Sequence, residues 1–426
     1  MLPTLTLLVA CTRPADSPAR RDDSAPAVDT SLPSVPPETG DSAEPEAPPL
    51  QTAPGSATLD CATAPVADGK VDCTLHVEDQ DGVVQWDGTA GVSLHGRSSA
   101  SFPKPQFSIE LRDEAGADLP ADLFGMGEES DWILNGMYID RALFRNKLCF
   151  DLYRSLTDDA EWAPESVYVE LTYQGAYFGV YQLEERVEHG EGRAPVADND
   201  GTGSAFIVRG DESGYPSTLQ DNRWALVYPS EANQTAEVID GVRERLQAAE
   251  AAIAAEDAST WEQVDLDSAV AFILMEEFMK NNDAYYLSHH AYVAEDGKLH
   301  FTPWDVDLSF GQPSYNDNEN PESWILYRPA LEADMALAPG FHERMASTWA
   351  TWRATELSDA TIDATLAANP ALLGDAVDRN FERWPIGDIQ FGGYLYAVSS
   401  YDEELARVSA FVHARLAWMD DNVASW

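Results

Sequence analysis

Apolar and polar residues alternate in short stretches through the first half of the chain and recur at three- and four-residue spacing in the second. Thr74-Leu75-His76-Val77, Val92-Ser93-Leu94-His95-Gly96 and Phe107-Ser108-Ile109-Glu110-Leu111 have the two-residue period of half-buried strands. Ser166 to Thr172 and Ala176 to Leu183 repeat that period around Gln174-Gly175, a pair suited to a tight hairpin turn. Ser204 to Arg209 adds one short strand. Tyr138 to Leu156 switches to helical spacing, and Glu237 to Glu256 reads as an amphipathic, alanine-rich helix. Asp267 can cap a further helix from Ser268 to Lys280. Pro329 to Asn369 and Tyr401 to Asp421 also read as helical. Strands first and helices later, interleaved once, predict an α+β domain rather than a regular βαβ array. No internal repeat occurs.

The start of the chain follows neither pattern. Residues Met1 to Ala10 are apolar but too few to cross a bilayer, and Leu8-Val9-Ala10-Cys11 looks like a bacterial lipobox. The stretch lacks a basic segment beyond the terminal amine, so a buried element with an incidental cysteine is the alternative. From Thr12 to Pro54 there are ten prolines and no aromatic residue. Such a segment cannot bury enough apolar surface to offset its ordering entropy. The expected organisation is a lipoprotein signal over 1–11 with lipidation at Cys11, a Pro/Ser/Asp-rich tether over 12–56, and a folded domain over 57–426.

Composition narrows the partners. The chain has 26 Lys plus Arg against 74 Asp plus Glu, a formal net charge of −48. That balance excludes nucleic acid as the expected partner and disfavours adhesion by charge to an anionic membrane, which leaves the lipid anchor as the route to a membrane. Lysine occurs only at 70, 104, 147, 280 and 298. Cys61 and Cys73 flank the turn signal Asp68-Gly69 and are candidates for a hairpin disulfide, which persists in an oxidising compartment. Cys149 lies among apolar residues at helical spacing and reads as a small buried hydrophobe.

Three segments carry candidate chemistry. In Gly96-Arg97-Ser98-Ser99 a small polar turn precedes Lys104, and backbone N–H groups with a cation can cradle phosphate. No Walker sequence is present, so a solvated surface turn fits the same residues. In Leu183-Glu184-Glu185-Arg186-Val187-Glu188 a buried-looking strand runs into acids, which by themselves read as a solvated edge. The third segment ends a helix at Met279-Lys280-Asn281-Asn282-Asp283, continues as a strand to about Ala294, and turns at Asp296-Gly297. The return strand leads to Trp304-Asp305-Val306-Asp307-Leu308. With Asp296 and Gly297 as the two turn residues, Asp305 falls opposite Ser288, and Asp283 lies at the same end. Three carboxylates then converge, a set suited to Mg²⁺ or Mn²⁺ with phosphate oxygens completing the shell. A generic acidic loop is the alternative, but carboxylates among core residues must be paired or liganded. Asp198-Asn199-Asp200-Gly201 has the composition of a calcium loop without the twelve-residue frame, and a solvated turn accounts for it.

Taken together, GRSSASFPKPQFSIEL (96–111), 131–156, 168–188, FILMEEFMKNNDAYYLSHHAYV (272–293) and GKLHFTPWDVDLSFG (297–311) resemble the CotH-type, spore-coat-protein-H-like atypical protein kinases in order and approximate spacing. The resemblance implies a reduced, atypical protein-kinase-like fold with a helical C-terminal part. It also implies metal-dependent transfer of the γ-phosphoryl group of ATP to serine or threonine of secreted or surface proteins. By matching positions, Lys104 would hold the nucleotide phosphates with Arg97, Ser98 and Ser99, and Glu185, rather than Glu184, would orient the lysine. Asp283 would accept the hydroxyl proton, and Asp305, assisted by Asp307, would ligate Mg²⁺ or Mn²⁺. Two positions depart from the pattern: Ser288 stands where ordinary kinases place a metal-binding asparagine, and Arg97 replaces the family's asparagine. His290 or Asp307 could substitute at the first. Arg141, Arg145 and Asn146 match the family and read as buried scaffold. The rival is a non-catalytic kinase-like binding, coat or adhesin protein. A long tether and the scarcity of ATP outside cells favour it, whereas the joint presence of Lys104, Glu185, Asp283 and Asp305 favours catalysis. Either way the expected location is exported and lipid-anchored at the cell envelope.

Overall fold

Seven strands close into a barrel in the first part of the chain: β1 (Gly55–Cys61), β2 (Val71–Glu78), β3 (Val84–His95), β4 (Gln106–Arg112), β7 (Asp131–Asn135), β8 (Ser166–Tyr173) and β9 (Ala176–Glu185). Between β4 and β7, β5 (Ala121–Asp122) and β6 (Glu128–Glu129) form a small ladder of their own. The computed structural model describes residues 51–426 except 191, 211–222, 282, 286, 314–317, 327–330 and 392–393. The expected anchor at Cys11 and the tether up to residue 50 lie outside the described residues. The barrel order is β1-β2-β3-β4-β7-β9-β8, and the parallel pairing of β1 with β8 closes it, so no edge stays open. Alternating residues fill its interior: Leu59, Leu75, Val92, Ile109, Leu111 and Leu171 are all buried. Cys61 and Cys73 face each other across β1 and β2 and form a disulfide, while Cys149 is a buried free thiol.

The remainder is a smaller sheet set against helices. β10 (Ile207–Gly210), β11 (Trp224–Tyr228), β12 (His289–Val293) and β13 (Leu299–Pro303) pair in the order β11-β10-β12-β13. Around them lie α1 (Arg145–Leu156), α2 (Ala236–Ala254), α3 (Thr260–Gln263), α4 (Leu266–Met279), α5 (Leu331–Met335), α6 (Phe341–Ala354), α7 (Asp359–Leu373), α8 (Ala376–Arg383) and α9 (Tyr401–Asn422). A last two-stranded ladder, β14 (Ile389–Phe391) with β15 (Tyr394–Tyr396), precedes α9. Helix α4 is buried on every side and packs against α6, α9 and β13, so it forms the axis of this half. Mixed strand and helix content matches the α+β expectation. Among the described residues, no helix is long and apolar enough to cross a membrane.

Four boundaries differ from the sequence expectation, three of them for a local reason. Strand β1 begins at Gly55, ahead of the expected domain start at 57. Helix α1 starts at Arg145 rather than Tyr138, because the Asp140 carboxylate accepts the N–H groups of Ala142 (2.9 Å) and Arg145 (2.8 Å) while Leu143 takes φ +63°. Asp265, not Asp267, caps α4, accepting from the N–H groups of Asp267 and Ser268. The β12–β13 connection uses a three-residue loop with Gly297 at φ +79°, so Ser288 faces Trp304 instead of Asp305.

Candidate active site

Barrel and helical half meet at a cleft of about 500 Å³. One wall is the end of β3 and the loop after it, including Gly96, Arg97, Ser98 and Ser99. Gly96 is required there. Its φ is +85°, and a Cβ would stand 1.9 Å from the Ser99 hydroxyl oxygen.

Asp283, Asp305 and Asp307 all line the cleft as well. Asp283 follows α4, which ends when Lys280 turns left-handed at φ +48°. The Lys280 amine donates to the carbonyls of Asn320 (2.7 Å) and Glu322 (2.8 Å). The N–H of Asp283 donates to Asn281 Oδ1 at 3.3 Å and that of Leu287 to the Asp283 carbonyl at 3.0 Å, closing the turn that presents the aspartate. Asp305 and Asp307 follow β13 on a segment clamped from three directions. Asn146 Oδ1 accepts the Val306 N–H (2.8 Å), Arg145 Nε donates to the Ser309 carbonyl (2.9 Å), and the Phe310 N–H donates to the Met279 carbonyl (2.8 Å). Val306 is fully buried between the two aspartates, which sends its neighbours to the cleft. Arg145 is itself neutralised by Asp140 (2.5 Å) and Glu404 (2.7 Å), both buried. Arg145 and Asn146 are therefore scaffold, as the sequence suggested.

The floor of the cleft is short of positive charge. Burial, then Asp305, Asp140 and Asp283, push the Asp307 carboxyl well above the usual carboxylate range, and Arg145 only partly opposes them. Surrounding protein also raises Asp305, although its cleft side is open to water, which tempers the effect. Glu184 lies beneath them, 2 % exposed. Its Oε1 accepts from Asn135 Nδ2 at 3.3 Å and its Oε2 is buried without a partner. Burial first, and Asp305 as well, raise its carboxyl well above the usual range. A set of oxygen donors with this excess of negative charge fits a hard divalent cation that shares its shell with phosphate and water. Among the described residues, the trio whose ligand atoms fall within 4.8 Å of one another lies elsewhere, at Glu161, Asp265 and His300. That trio could accept a cation, but His300 and Glu161 already pair at 3.1 Å and Lys298 stands 3.6 Å from Asp265.

Two expected site residues do not join the cleft. Lys104 is 1 % exposed, and its amine donates to the Val180 carbonyl (2.5 Å) and Asn380 Oδ1 (2.9 Å) above the Tyr181 ring. Glu185 accepts the Glu165 N–H at 2.7 Å and pairs with buried Arg193. The expected Lys104–Glu185 pair is absent: neighbours in β9 point to opposite faces, so Glu184 meets Asn135 and the field of Asp305 while Glu185 meets Arg193. Residues that sequence reasoning passed over also line the cleft: His95, Arg186 and Arg209. Arg209 closes the apolar run Phe206-Ile207-Val208, and a basic residue there in so acidic a chain was the available signal.

The family model described as CotH kinase protein matches residues 92–419, a span that includes every cleft residue named above. A search of curated proteins gives no match.

Proposed function

Because this chain belongs to the CotH kinase protein family, we propose that it transfers the γ-phosphoryl group of ATP to a serine or threonine hydroxyl of a secreted or surface protein, on a reduced kinase-like scaffold. The observation that carries the reading is that Asp283, Asp305 and Asp307, from two separate segments, line one cleft together with the Gly96–Ser99 loop. Asp283 orients the acceptor hydroxyl and takes its proton as the oxygen bonds to the γ-phosphorus and ADP leaves. Asp305, with Asp307, would hold Mg²⁺ or Mn²⁺, which would supply charge neutralisation for the phosphate oxygens. The backbone N–H groups of the Gly96–Ser99 loop cover the phosphates. Export is supported by the Cys61–Cys73 disulfide, and lipidation at Cys11 supplies the anchor. A non-catalytic binding protein on the same scaffold is the second reading, favoured by the burial of Lys104 away from the cleft.

Full-length protein incubated with γ-labelled ATP and Mg²⁺ or Mn²⁺ separates the two readings. Wild type incorporates label. Asp283→Asn loses about 10²-fold or more in turnover while still binding Mg²⁺–ATP, and Asp305→Asn loses binding and turnover together. Equal phosphotransfer by both variants and the wild type would sink this reading of the site.

A further inference from the structure

The cleft has further lining residues that the roles above leave unused. His95 ends β3, Arg186 follows β9, Arg209 lies in β10 and His290 in β12, and all four line the cleft. Arg209 and His290 face each other across the β10–β12 ladder. Arg186 donates from Nη1 to Asp131 Oδ1 at 2.8 Å. Arg209 is exposed, and among the described residues no hydrogen bond or ion pair engages its guanidinium. In a chain with 26 basic residues against 74 acidic ones, a cleft-facing guanidinium with no counter-ion among the described residues is out of keeping with its surroundings. Beside it, His290 is 6 % exposed and its Nδ1 is buried without a partner. Lost hydration, with Arg186 and Arg209 close by, keeps both imidazoles neutral, His95 being pushed down to about 4. Two guanidiniums and two neutral imidazoles from four segments thus line the cleft, and among the described residues Arg209 has no counter-ion.

Lys104 cannot supply charge to that space. Both acceptors of its amine are uncharged, and it is not among the residues lining the cleft. Burial and nearby Arg141 push the amine well below the usual lysine range. Its role is to tie β9 to α8 through Asn380, whose Oδ1 also accepts the Val180 N–H at 3.1 Å.

We infer that Arg209, supported by Arg186, is the anchor for the phosphate chain of the nucleotide, and that Lys104 is a structural residue at the junction of barrel and helices. The inference rests on the phosphotransfer reading of the same cleft. A planar guanidinium fork meets two phosphate oxygens at once, which an ammonium does not. A neutral imidazole adds a hydrogen-bond donor without adding charge repulsion. The cleft then offers two ligand chemistries: guanidiniums for the phosphate chain and carboxylates for the cation.

Calorimetric titration of the full-length protein with Mg²⁺–ATP, inorganic tripolyphosphate and adenosine tests the assignment. Arg209→Gln weakens ATP and tripolyphosphate by about 10- to 100-fold and leaves adenosine unchanged. Arg209→Lys recovers only part of the loss, since it keeps the charge without the fork. Lys104→Met, in protein shown to be folded by its thermal transition, keeps tripolyphosphate affinity within about threefold. Wild-type protein that binds neither ATP nor tripolyphosphate overturns the phosphotransfer reading and this inference with it. If wild type binds ATP and Arg209→Gln binds it equally well, this inference alone falls. It also falls if adenosine affinity drops in step with ATP, or if folded Lys104→Met protein loses tripolyphosphate.

Discussion

Glu184 and Glu185 are neighbours in β9 that meet opposite surroundings. Glu185 has a buried cation, Arg193, whose guanidinium stacks 4.6 Å from the Trp132 ring, whereas Glu184 has only the Asn135 amide and the field of Asp305. Asp305 shows a different local demand. Its φ of +51° lies in the left-handed region that Asp and Asn tolerate better than other side chains, so Asp305→Asn tests the carboxylate without adding backbone strain. Glu276, in α4 ahead of the turn that carries Asp283, is fully buried. Burial first, then Glu277, Glu332 and Asp283, raise its carboxyl well above the usual range. A carboxyl raised by folding contributes stability that is present below its ordinary range and is lost as pH rises through the raised value. Glu276→Gln removes that dependence. Relative to wild type it should gain up to about 1.4 kcal/mol per pH unit as pH rises above the ordinary carboxylate range. Urea denaturation at several pH values reads the difference, and parallel pH–stability curves would contradict it.

At the scale of elements, the segment carrying Asp305 and Asp307 has no regular structure and is shaped by what grips it. The first turn of α1 supplies two of those grips, through Arg145 and Asn146. Asn146 is 4 % exposed, so its deletion leaves the Val306 N–H buried without an acceptor. Asn146→Ala should therefore cost about 1–3 kcal/mol of stability and weaken Mn²⁺ binding at the cleft, because the aspartates lose their fixed positions. Chemical denaturation and a Mn²⁺ titration check both effects. A fully stable variant with unchanged Mn²⁺ affinity would mean that the segment holds its shape unaided. The hairpin β12–β13 makes the same point about register: one extra loop residue shifts every pairing, yet Asp305 still reaches the cleft because it lies beyond the last paired residue, Pro303.

For the whole molecule, the compact unit of residues Ala47–Trp426 contains both walls of the cleft. Its strongly acidic surface leaves the cleft's guanidiniums as a local exception in sign. The proposed export divides the chain into an anchor at Cys11 and a domain that does not depend on it. Cys11→Ser should move the protein from the membrane fraction to the soluble fraction with an unchanged thermal transition for the domain. Continued sedimentation with membranes would exclude the lipid anchor.

The sequence by itself determined the elements whose pattern is local. The strands around Leu75, Val92 and Ile109, the hairpin at Gln174-Gly175 and the long C-terminal helix all follow from residue spacing and turn chemistry. It also singled out Asp283, Asp305 and Asp307, from a helix end and a hairpin return strand, and all three line the cleft. Closure of the barrel through parallel pairing of β1 and β8 was decided only by the tertiary structure, because strands more than a hundred residues apart leave no local trace of each other. The sorting of Glu184 from Glu185, and of Lys104 from Arg209, belongs to the same level. Side-chain type records which charges a chain owns. Which of them face a shared cleft, and which are spent inside on Val180, Asn380 or Arg193, depends on the packing of β9 against α8 and of β10 against β12.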